Sequence, residues 1–175
     1  MLCSSPRVAL IAALTVIGGC AGDASPDAPP TPTAEELAAV MAAVDMAGGP
    51  KGIALGVPQL RFGLLDTPTT LYLEDGTRLQ MYTKPRAPLA LGPHSLQVSL
   101  GFDRPGTLRR VEARSKSLDA AGCDAVKAAV VEAYGPADPE GAGFRWRGQS
   151  IYVRWSFAAE NRQPTCLVTW DAVAP

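Results

Sequence analysis

Apolar residues recur with helical spacing soon after residue 33. Four of them fall on one face of a helix: Leu37, Val40, Met41 and Val44. Thr33 followed by Glu36 has the spacing of a capping box, which marks a helix start. Gly48 and Pro50 are typical of a helix end. The pattern therefore predicts a first helix between Thr33 and Gly48.

Further along, the period of the pattern changes from helical to alternating. The stretch TTLYLEDGTRLQMYT (69–83) predicts a hairpin that turns at Asp75-Gly76. A two-residue loop would place Leu71 opposite Gln80 and mix polar with apolar faces. A three-residue loop with Gly76 in the left-handed conformation instead pairs Leu71 with Leu79. We therefore predict the bulged turn, with Thr69 opposite Met81, and with Tyr72, Arg78 and Gln80 on the outer face.

Alternation then predicts a second hairpin and three later strands. The second hairpin turns at DRPGT (103–107), and its apolar face carries Leu96, Val98, Leu100, Phe102, Val111 and Ala113. The later strands are FRWRG (144–148), IYVRWSF (151–157) and TCLVTW (165–170). Between these two groups of strands, a second helix from about Asp119 to Tyr134 is capped by Ser117 or Asp119. Its apolar stripe consists of Cys123, Val126, Val130 and Tyr134. The predicted fold class is α+β, with two helices packed on an antiparallel sheet built from hairpins.

The two predicted helices share a sequence pattern. AVMAAVDMAGGP (39–50) and AVKAAVVEAYGP (125–136) agree at eight of twelve positions. Each precedes a segment containing arginine and aromatic residues and then a β region. Two interpretations stay open: a tandem repeat of a helix-plus-sheet unit, or a chance match between alanine-rich helices. The arrangement resembles the small α+β modules of bacterial envelope lipoproteins and secreted inhibitors, which is an analogy of fold and not of function.

The first nineteen residues have the pattern of an export signal. Arg7 precedes an apolar run that is too short to span a membrane. The run ends in Ile17-Gly18-Gly19-Cys20, which resembles the lipobox of bacterial lipoproteins. The resemblance implies acylation of Cys20 and cleavage before it. Because the next residue is Ala21 and not Asp, it also implies an outer-membrane location facing the periplasm.

The residues after Cys20 are expected to form a tether. DASPDAPPTPT (23–33) has four prolines and no large apolar side chain, so it cannot form a packed core. We therefore divide the chain into a signal peptide (1–19), an acylated cysteine with a proline-rich tether (20–33) and a periplasmic α+β domain (34–175). The membrane is the first expected partner, through the lipid anchor.

This division determines which cysteines remain free to form a disulfide in the mature protein. Cys3 leaves with the signal peptide and Cys20 carries lipid, so Cys123 and Cys166 remain in an oxidising compartment, where a pair predicts a disulfide. Cys123 lies on the apolar stripe of its helix and Cys166 on the apolar face of the last strand. The two sulfurs therefore meet if that helix covers that face. Two thiols and one histidine fall short of a zinc site.

The sequence contains few residues in the patterns typical of catalytic or cofactor sites. The chain has one histidine, His94, and no nucleophile elbow, phosphate loop or metal-binding motif, so we predict no cofactor and no metal. Six acidic residues are interpreted as solvated surface groups: Asp66, Glu74, Asp75, Glu112, Asp138 and Glu140. Removal of Arg7 with the signal peptide leaves 15 basic and 17 acidic residues. This balance argues against a nucleic-acid partner.

The arginines of the later strands suggest a surface. Arg145, Arg147 and Arg154 alternate with aromatic and apolar residues, so they share an outer sheet face with Tyr152. This is either an ordinary solvated face or a patch for an acidic protein or lipopolysaccharide, since Arg and Tyr often anchor interfaces.

From these features we expect a lipid-anchored envelope protein that acts as a non-catalytic binding or structural module. One alternative is an inhibitor of a hydrolase, and another is a hydrolase that uses carboxylates. A concave site with converging acids would favour the hydrolase, and a flat arginine-bearing sheet would favour binding.

Overall fold

Two helices and eight strands make up the part of the chain described by the computed structural model. It describes residues 33–63, 65–160 and 163–173, with only the backbone for 84–87 and 160. The helices are α1 (Ala34–Ala47) and α2 (Ala120–Tyr134), with a short 3₁₀ helix at Gln59–Phe62. The strands are β1 (Thr69–Tyr72), β2 (Arg78–Leu91), β3 (His94–Phe102), β4 (Leu108–Ser115), β5 (Asp138–Glu140), β6 (Gly143–Arg147), β7 (Ile151–Glu160) and β8 (Gln163–Ala172).

The eight strands form one antiparallel sheet in the order β1-β2-β3-β4-β8-β7-β6-β5. Each helix therefore precedes a run of four strands that pair with their neighbours in sequence. The last strand of each run, β4 and β8, pair with each other at the centre of the sheet. The α+β class and the antiparallel hairpins are confirmed, whereas β5 and the 3₁₀ helix were not predicted.

Both helix starts follow the predicted capping chemistry. Thr33 and Glu36 form the full capping box, and α1 ends at Gly48. Asp119, rather than Ser117, caps α2 by accepting a hydrogen bond from the backbone N–H of Gly122 at 2.8 Å. Each cap satisfies an N–H group that would otherwise lack a partner in the first helical turn.

The first hairpin has the predicted register. Leu71 lies opposite Leu79 and Thr69 opposite Met81. Gly76 at the turn has a φ of 81°, a left-handed conformation that glycine adopts without steric cost. Leu79 and Met81 are buried, but on the sheet face away from the helices, since Met81 pairs with Gly101 of β3 and Gly101 pairs with Arg110 of β4.

The main core lies between the helices and the other face of the sheet. It contains the predicted apolar faces of β3, β4, β7 and β8 together with the stripe of α2, and Trp146 and Trp170 are its largest fully buried side chains. Both indole N–H groups have a polar partner: that of Trp146 donates to the Gly135 carbonyl at 2.8 Å, and that of Trp170 donates to the Tyr134 hydroxyl at 2.7 Å. The Tyr134 hydroxyl donates in turn to the Gly48 carbonyl at 2.7 Å. Burial raises the pKa of Tyr134 above its ordinary value.

The predicted disulfide joins helix to sheet. Cys123 of α2 and Cys166 of β8 are bonded, with 5.6 Å between their Cα atoms, and both are fully buried. The Trp155 indole N–H donates to the Cys123 carbonyl at 3.2 Å, beside the bond. The predicted meeting of the two apolar faces is therefore confirmed.

The apolar stripe of α1 is only partly covered. Val44 is fully buried, but Leu37 is 52% exposed and Val40 is 39% exposed. The stripe has the predicted spacing, but its N-terminal part remains open to solvent. None of the helices in the described part of the chain is long and apolar enough to cross a membrane.

Asp45 near the end of α1 fixes the turn between β6 and β7. Its carboxylate accepts hydrogen bonds from the backbone N–H groups of Gln149 (2.7 Å) and Ser150 (2.9 Å) and from the Ser150 hydroxyl (2.8 Å). Desolvation acts to raise the pKa of Asp45, but the hydrogen bonds from Ser150 and Gln149 outweigh it, so the pKa is lowered.

We expect Asp45→Asn to destabilise the fold by about 1 kcal/mol at pH 7, because it removes the charge from these partly exposed hydrogen bonds. A lowered carboxyl pKa in the folded state stabilises the protein above the unfolded-state pKa, and this contribution is lost as the pH falls through the folded-state pKa. The difference between wild type and Asp45→Asn in urea unfolding should therefore shrink below about pH 4. An equal difference at pH 7 and pH 3 would contradict this role.

Candidate binding site

The four residues of the predicted patch lie together. Arg145 and Arg147 on β6 and Tyr152 and Arg154 on β7 share the sheet face away from the helices and line one cavity of about 820 Å³. Their neighbours in sequence, including Trp146, Val153 and Trp155, are buried on the helix side. The alternation therefore assigned the patch to the correct face.

This face is curved and not flat. Residues 72–75 at the β1–β2 turn line the same cavity as Arg147 and Tyr152. In a flat sheet of this strand order, β2 and β6 would be separated by five strand spacings, roughly 24 Å. The sheet must therefore curl, so that its two ends approach each other over a concave face. We call this concave face the trough and define it by Arg110, Arg145, Arg147, Tyr152, Arg154 and Asp171.

A glycine occupies the crowded inner side of the curve. A Cβ atom at Gly101 would lie 2.6 Å from the Met81 sulfur and 3.1 Å from the Arg110 Cβ. A larger residue would therefore require the Met81 side chain to move and would crowd the Arg110 Cβ. Gly101 thus permits the close approach of side chains that curvature produces on the concave side.

A largely buried arginine forms the floor of the trough. The Arg110 side chain donates from Nε and Nη2 to the two carboxylate oxygens of Asp171, at 2.5 and 2.9 Å. A third nitrogen lies 3.5 Å from Glu112. The side chain of Arg110 is 10% exposed and those of both acids are 14% exposed. The interpretation of Glu112 as a solvated surface acid is therefore wrong, because Arg110 and Arg114 hold it against the sheet.

The side of the trough is arranged around Glu140 of β5. Its carboxylate accepts a hydrogen bond from the Tyr152 hydroxyl at 2.7 Å and one from Arg145 at 3.3 Å. Burial raises the pKa of Tyr152 above 10.0, and the bond to Glu140 raises it further. Asp138 lies 4.0 Å from Arg145. Glu140 thereby fixes the orientation of two of the four patch residues.

The other two patch arginines flank the Tyr152 ring. The Arg154 guanidinium lies 5.3 Å from the ring centroid and that of Arg147 lies 5.9 Å from it, both within cation–π range. Arg154 also lies 3.5 Å from Asp171. Among the residues that the structure describes, Arg147 has no carboxylate within ion-pair distance, and it is exposed.

The trough carries both charges. Four acidic residues line its cavity beside four arginines: Glu74, Asp75, Glu140 and Asp171. A second cavity of about 460 Å³ extends it towards Thr169, whose buried hydroxyl has no hydrogen-bond partner in the described part of the chain. The trough therefore presents fixed positive and negative groups and does not act as a simple cationic surface.

Metal ligands do not converge within residues 33–63, 65–160 and 163–173, where no group of three or more His, Cys, Asp or Glu side chains is positioned to hold an ion. The predicted lipidation site Cys20, the signal peptide and all of the tether except Thr33 lie outside the described residues.

Sequence reasoning missed Asp171, the floor role of Arg110 and the bridging role of Glu140. The available signal was the alternation already used for the core: if Val168 and Trp170 face the helices, Thr169 and Asp171 face the trough. Alternation does not show which strands are neighbours. It therefore could not predict that Arg110 and Asp171 lie opposite each other on adjacent strands.

Comparison with protein-family models, with curated proteins and with solved structures finds no match to this chain.

Proposed function

We propose that this protein is a lipid-anchored lipoprotein of the bacterial envelope that binds a protein partner in the trough, without catalysing a reaction. The observation that carries the proposal is the set formed by Arg147, Tyr152 and Arg154. The exposed Arg147 guanidinium has no carboxylate within ion-pair distance in the described part of the chain, and both guanidinium groups lie within cation–π range of the tyrosine ring. Arginine and tyrosine are the residue types that dominate binding energy at protein interfaces.

Pre-organisation supports binding. Glu140 holds Arg145 and Tyr152, and Asp171 lies beside Arg154. Long side chains that are already ordered lose less conformational entropy when a partner arrives, at a saving of about 0.5–1.5 kcal/mol each. The acids of the trough thus keep Arg145, Tyr152 and Arg154 in place before binding, and Tyr152 in turn lies within cation–π range of Arg147.

The charge balance favours a protein over lipopolysaccharide. A polyanion is best held by an excess of positive charge, and the cavity of the trough has no such excess, since as many acids as arginines line it. A protein surface carries charges of both signs and can complement this pattern. The proposed partner is therefore a protein that brings a carboxylate to Arg147 and donor groups to the acids.

The ion pairs between the acids and arginines of the trough also favour binding over acid-base hydrolysis. Glu112, Glu140 and Asp171 are each engaged by arginine, and Glu140 also by the Tyr152 hydroxyl. Concave shape alone would favour the hydrolase alternative, but these carboxylates orient side chains and do not form a free acid-base pair. If the partner is itself a hydrolase, the protein acts as its inhibitor through this same surface.

The binding proposal is tested by a photoreactive residue at Val173, which lines the trough and is 41% exposed. In the full-length protein in intact envelopes, irradiation should give a protein adduct. Arg145→Ala combined with Arg154→Ala should reduce that adduct at least about tenfold, which corresponds to 1.4 kcal/mol of binding.

The matched control is Arg61→Ala combined with Arg104→Ala, which removes the same charge from exposed positions outside the trough. This control should leave the yield unchanged. An undiminished adduct in the trough variant would refute the proposed surface, and an adduct with the mass of lipopolysaccharide would refute the partner class.

The anchor has its own support and test. The sequence Ile17-Gly18-Gly19-Cys20 with a proline-rich tether behind it supports acylation, and two or more acyl chains hold a protein stably on a membrane. We expect a palmitate analogue to label the wild-type protein and not Cys20→Ser. Equal labelling of the two proteins would contradict the anchor.

We also propose that the two halves arose by duplication. In support, the helix caps Thr33 and Asp119 lie 86 residues apart, the same offset as the two similar helix sequences. Each helix precedes four strands, and the two halves meet symmetrically at β4 and β8. A duplicated fold of this kind places equivalent strands on both sides of the trough.

A further inference from the structure

A groove beside the trough is lined mainly by apolar side chains. It measures about 540 Å³ and is formed by the uncovered part of the α1 stripe with the segment before β5 and one indole of the sheet: Leu37, Val40, Met41, Pro136, Ala137 and Trp146. Leu37 and Val40 are 52% and 39% exposed. Neighbouring apolar side chains left open to water on a packed domain typically mark an interaction site.

Two arginines connect this groove to the trough. Arg145 and Arg147 line both cavities, so they form a ridge between them. The two acids that also line the groove are already engaged: Glu36 accepts from Thr33 in the capping box, and Asp138 lies 4.0 Å from Arg145. In the described part of the chain, Arg147 is thus the charged group of the ridge that lacks a counter-ion.

We infer that the protein segment bound in the trough crosses this ridge, placing a carboxylate on Arg147 and the apolar side chains next to it into the groove. This inference rests on the proposed function and names the chemistry of the partner segment: an acidic residue beside apolar ones. Charge complementarity at Arg147 and the adjacency of the two cavities, which share Arg145 and Arg147, select this occupant. Interface hot spots are enriched in arginine and lie in well-packed pockets from which water is excluded, as Arg147 would beside a filled groove.

The test places a photoreactive residue at Leu37 in the full chain, with Val173 as the trough position and Leu60 as the control. Leu60 is 94% exposed and does not line the groove. In intact envelopes, Leu37 and Val173 should give adducts with the same partner, mapped to adjoining stretches of its sequence. Leu60 should give none with that partner.

Each of the other possible crosslinking results contradicts a specific part of the proposal. An adduct from Val173 without one from Leu37 refutes the groove and leaves the trough. Absence of the partner from both positions refutes the proposed function. A lipid adduct at Leu37, a crosslink within its own chain, or the same products from Leu60 each refutes a partner segment in the groove.

A substitution on α1 provides an independent readout. Val40→Asp should reduce the Val173 adduct at least about fivefold while the thermal unfolding temperature stays within about 2 °C of wild type, since Val40 is partly exposed. The control is Met46→Asp on the same helix, where the side chain is 86% exposed and outside the groove, and it should leave the adduct unchanged.

A fall in unfolding temperature with an unchanged adduct would assign Val40 to the core and overturn the inference. If Val40→Asp does not fold, the isosteric Val40→Thr replaces it, with a reduction of at least about threefold expected. An unchanged Val173 adduct in a folded variant overturns the inference as well.

Discussion

Replacing Cys123 and Cys166 together by alanine is expected to destabilise the protein by about 4 kcal/mol. The bond closes a loop with a sequence separation of 43, and the chain-entropy relation gives a loss of about that size for such a loop. For a domain of this length the unfolding temperature should fall by roughly 12 °C. Urea unfolding and thermal unfolding of the oxidised wild type and the double variant measure the effect.

The double substitution avoids leaving a single buried thiol. A useful control is wild type with a reductant under native conditions, where both sulfurs are fully buried and the bond should resist reduction until the protein unfolds. A double variant that unfolds within about 2 °C of the wild type would show that packing alone holds α2 on the sheet.

Arg110→Met is expected to destabilise the protein by about 3 kcal/mol or more. Removing one partner of a buried ion pair leaves the other charge without compensation. Here Asp171 and Glu112 would stay in place, each with a side chain 14% exposed and with only the longer contacts to Arg154 and Arg114 remaining. Chemical unfolding at pH 7 measures the loss.

The neighbouring arginine provides the matched control. Arg109 pairs with Asp103 at 3.1 Å, but its side chain is 31% exposed, so Arg109→Met should cost no more than about 1 kcal/mol. Adding Asp171→Leu to Arg110→Met should restore part of the stability, because the isolated charge is then removed as well. Equal losses of stability in Arg109→Met and Arg110→Met would contradict the role of Arg110 as a buried ion-pair partner on the floor of the trough.

Local rules were sufficient to predict much of the fold. The register of the first hairpin followed from one requirement, that Leu71 and Leu79 share a face, and Gly76 supplies the backbone conformation that the turn needs. The disulfide was predicted because two cysteines remain after the expected processing, and each lies on an apolar face, one on a helical stripe and one on an alternating strand. These faces are short-range patterns, and the sequence alone was enough to find them.

Long-range geometry was not accessible in this way. The curl of the sheet brings the β1–β2 turn to the same cavity as Arg147 and Tyr152, and this approach joins residues that lie far apart in the chain. The exposure of Leu37 and Val40 depends on how α1 packs against the rest of the domain, and no spacing within the helix records that. The three residues of β5 are too few to give an alternating pattern.

The candidate site was likewise predicted only in part from the sequence. Alternation placed the arginines and Tyr152 on one face, because it is a property of each strand alone. It did not predict that Glu140 and Asp171 would pair with them, since that depends on strand order and sheet curvature. The change from a cationic patch to a mixed-charge trough comes from these pairings, and it alters the expected partner.

The most direct test of the trough as a binding surface compares the reactivity of its arginines in two settings. An arginine-specific dicarbonyl reagent is applied to the protein in intact envelopes and to the purified protein, and labelling is read by mass spectrometry. Our account predicts that Arg147 is labelled in the purified protein and at least about fivefold less in envelopes, while Arg61 and Arg104 are labelled equally in both. Equal labelling of Arg147 in the two settings would contradict the claim that a partner occupies the trough.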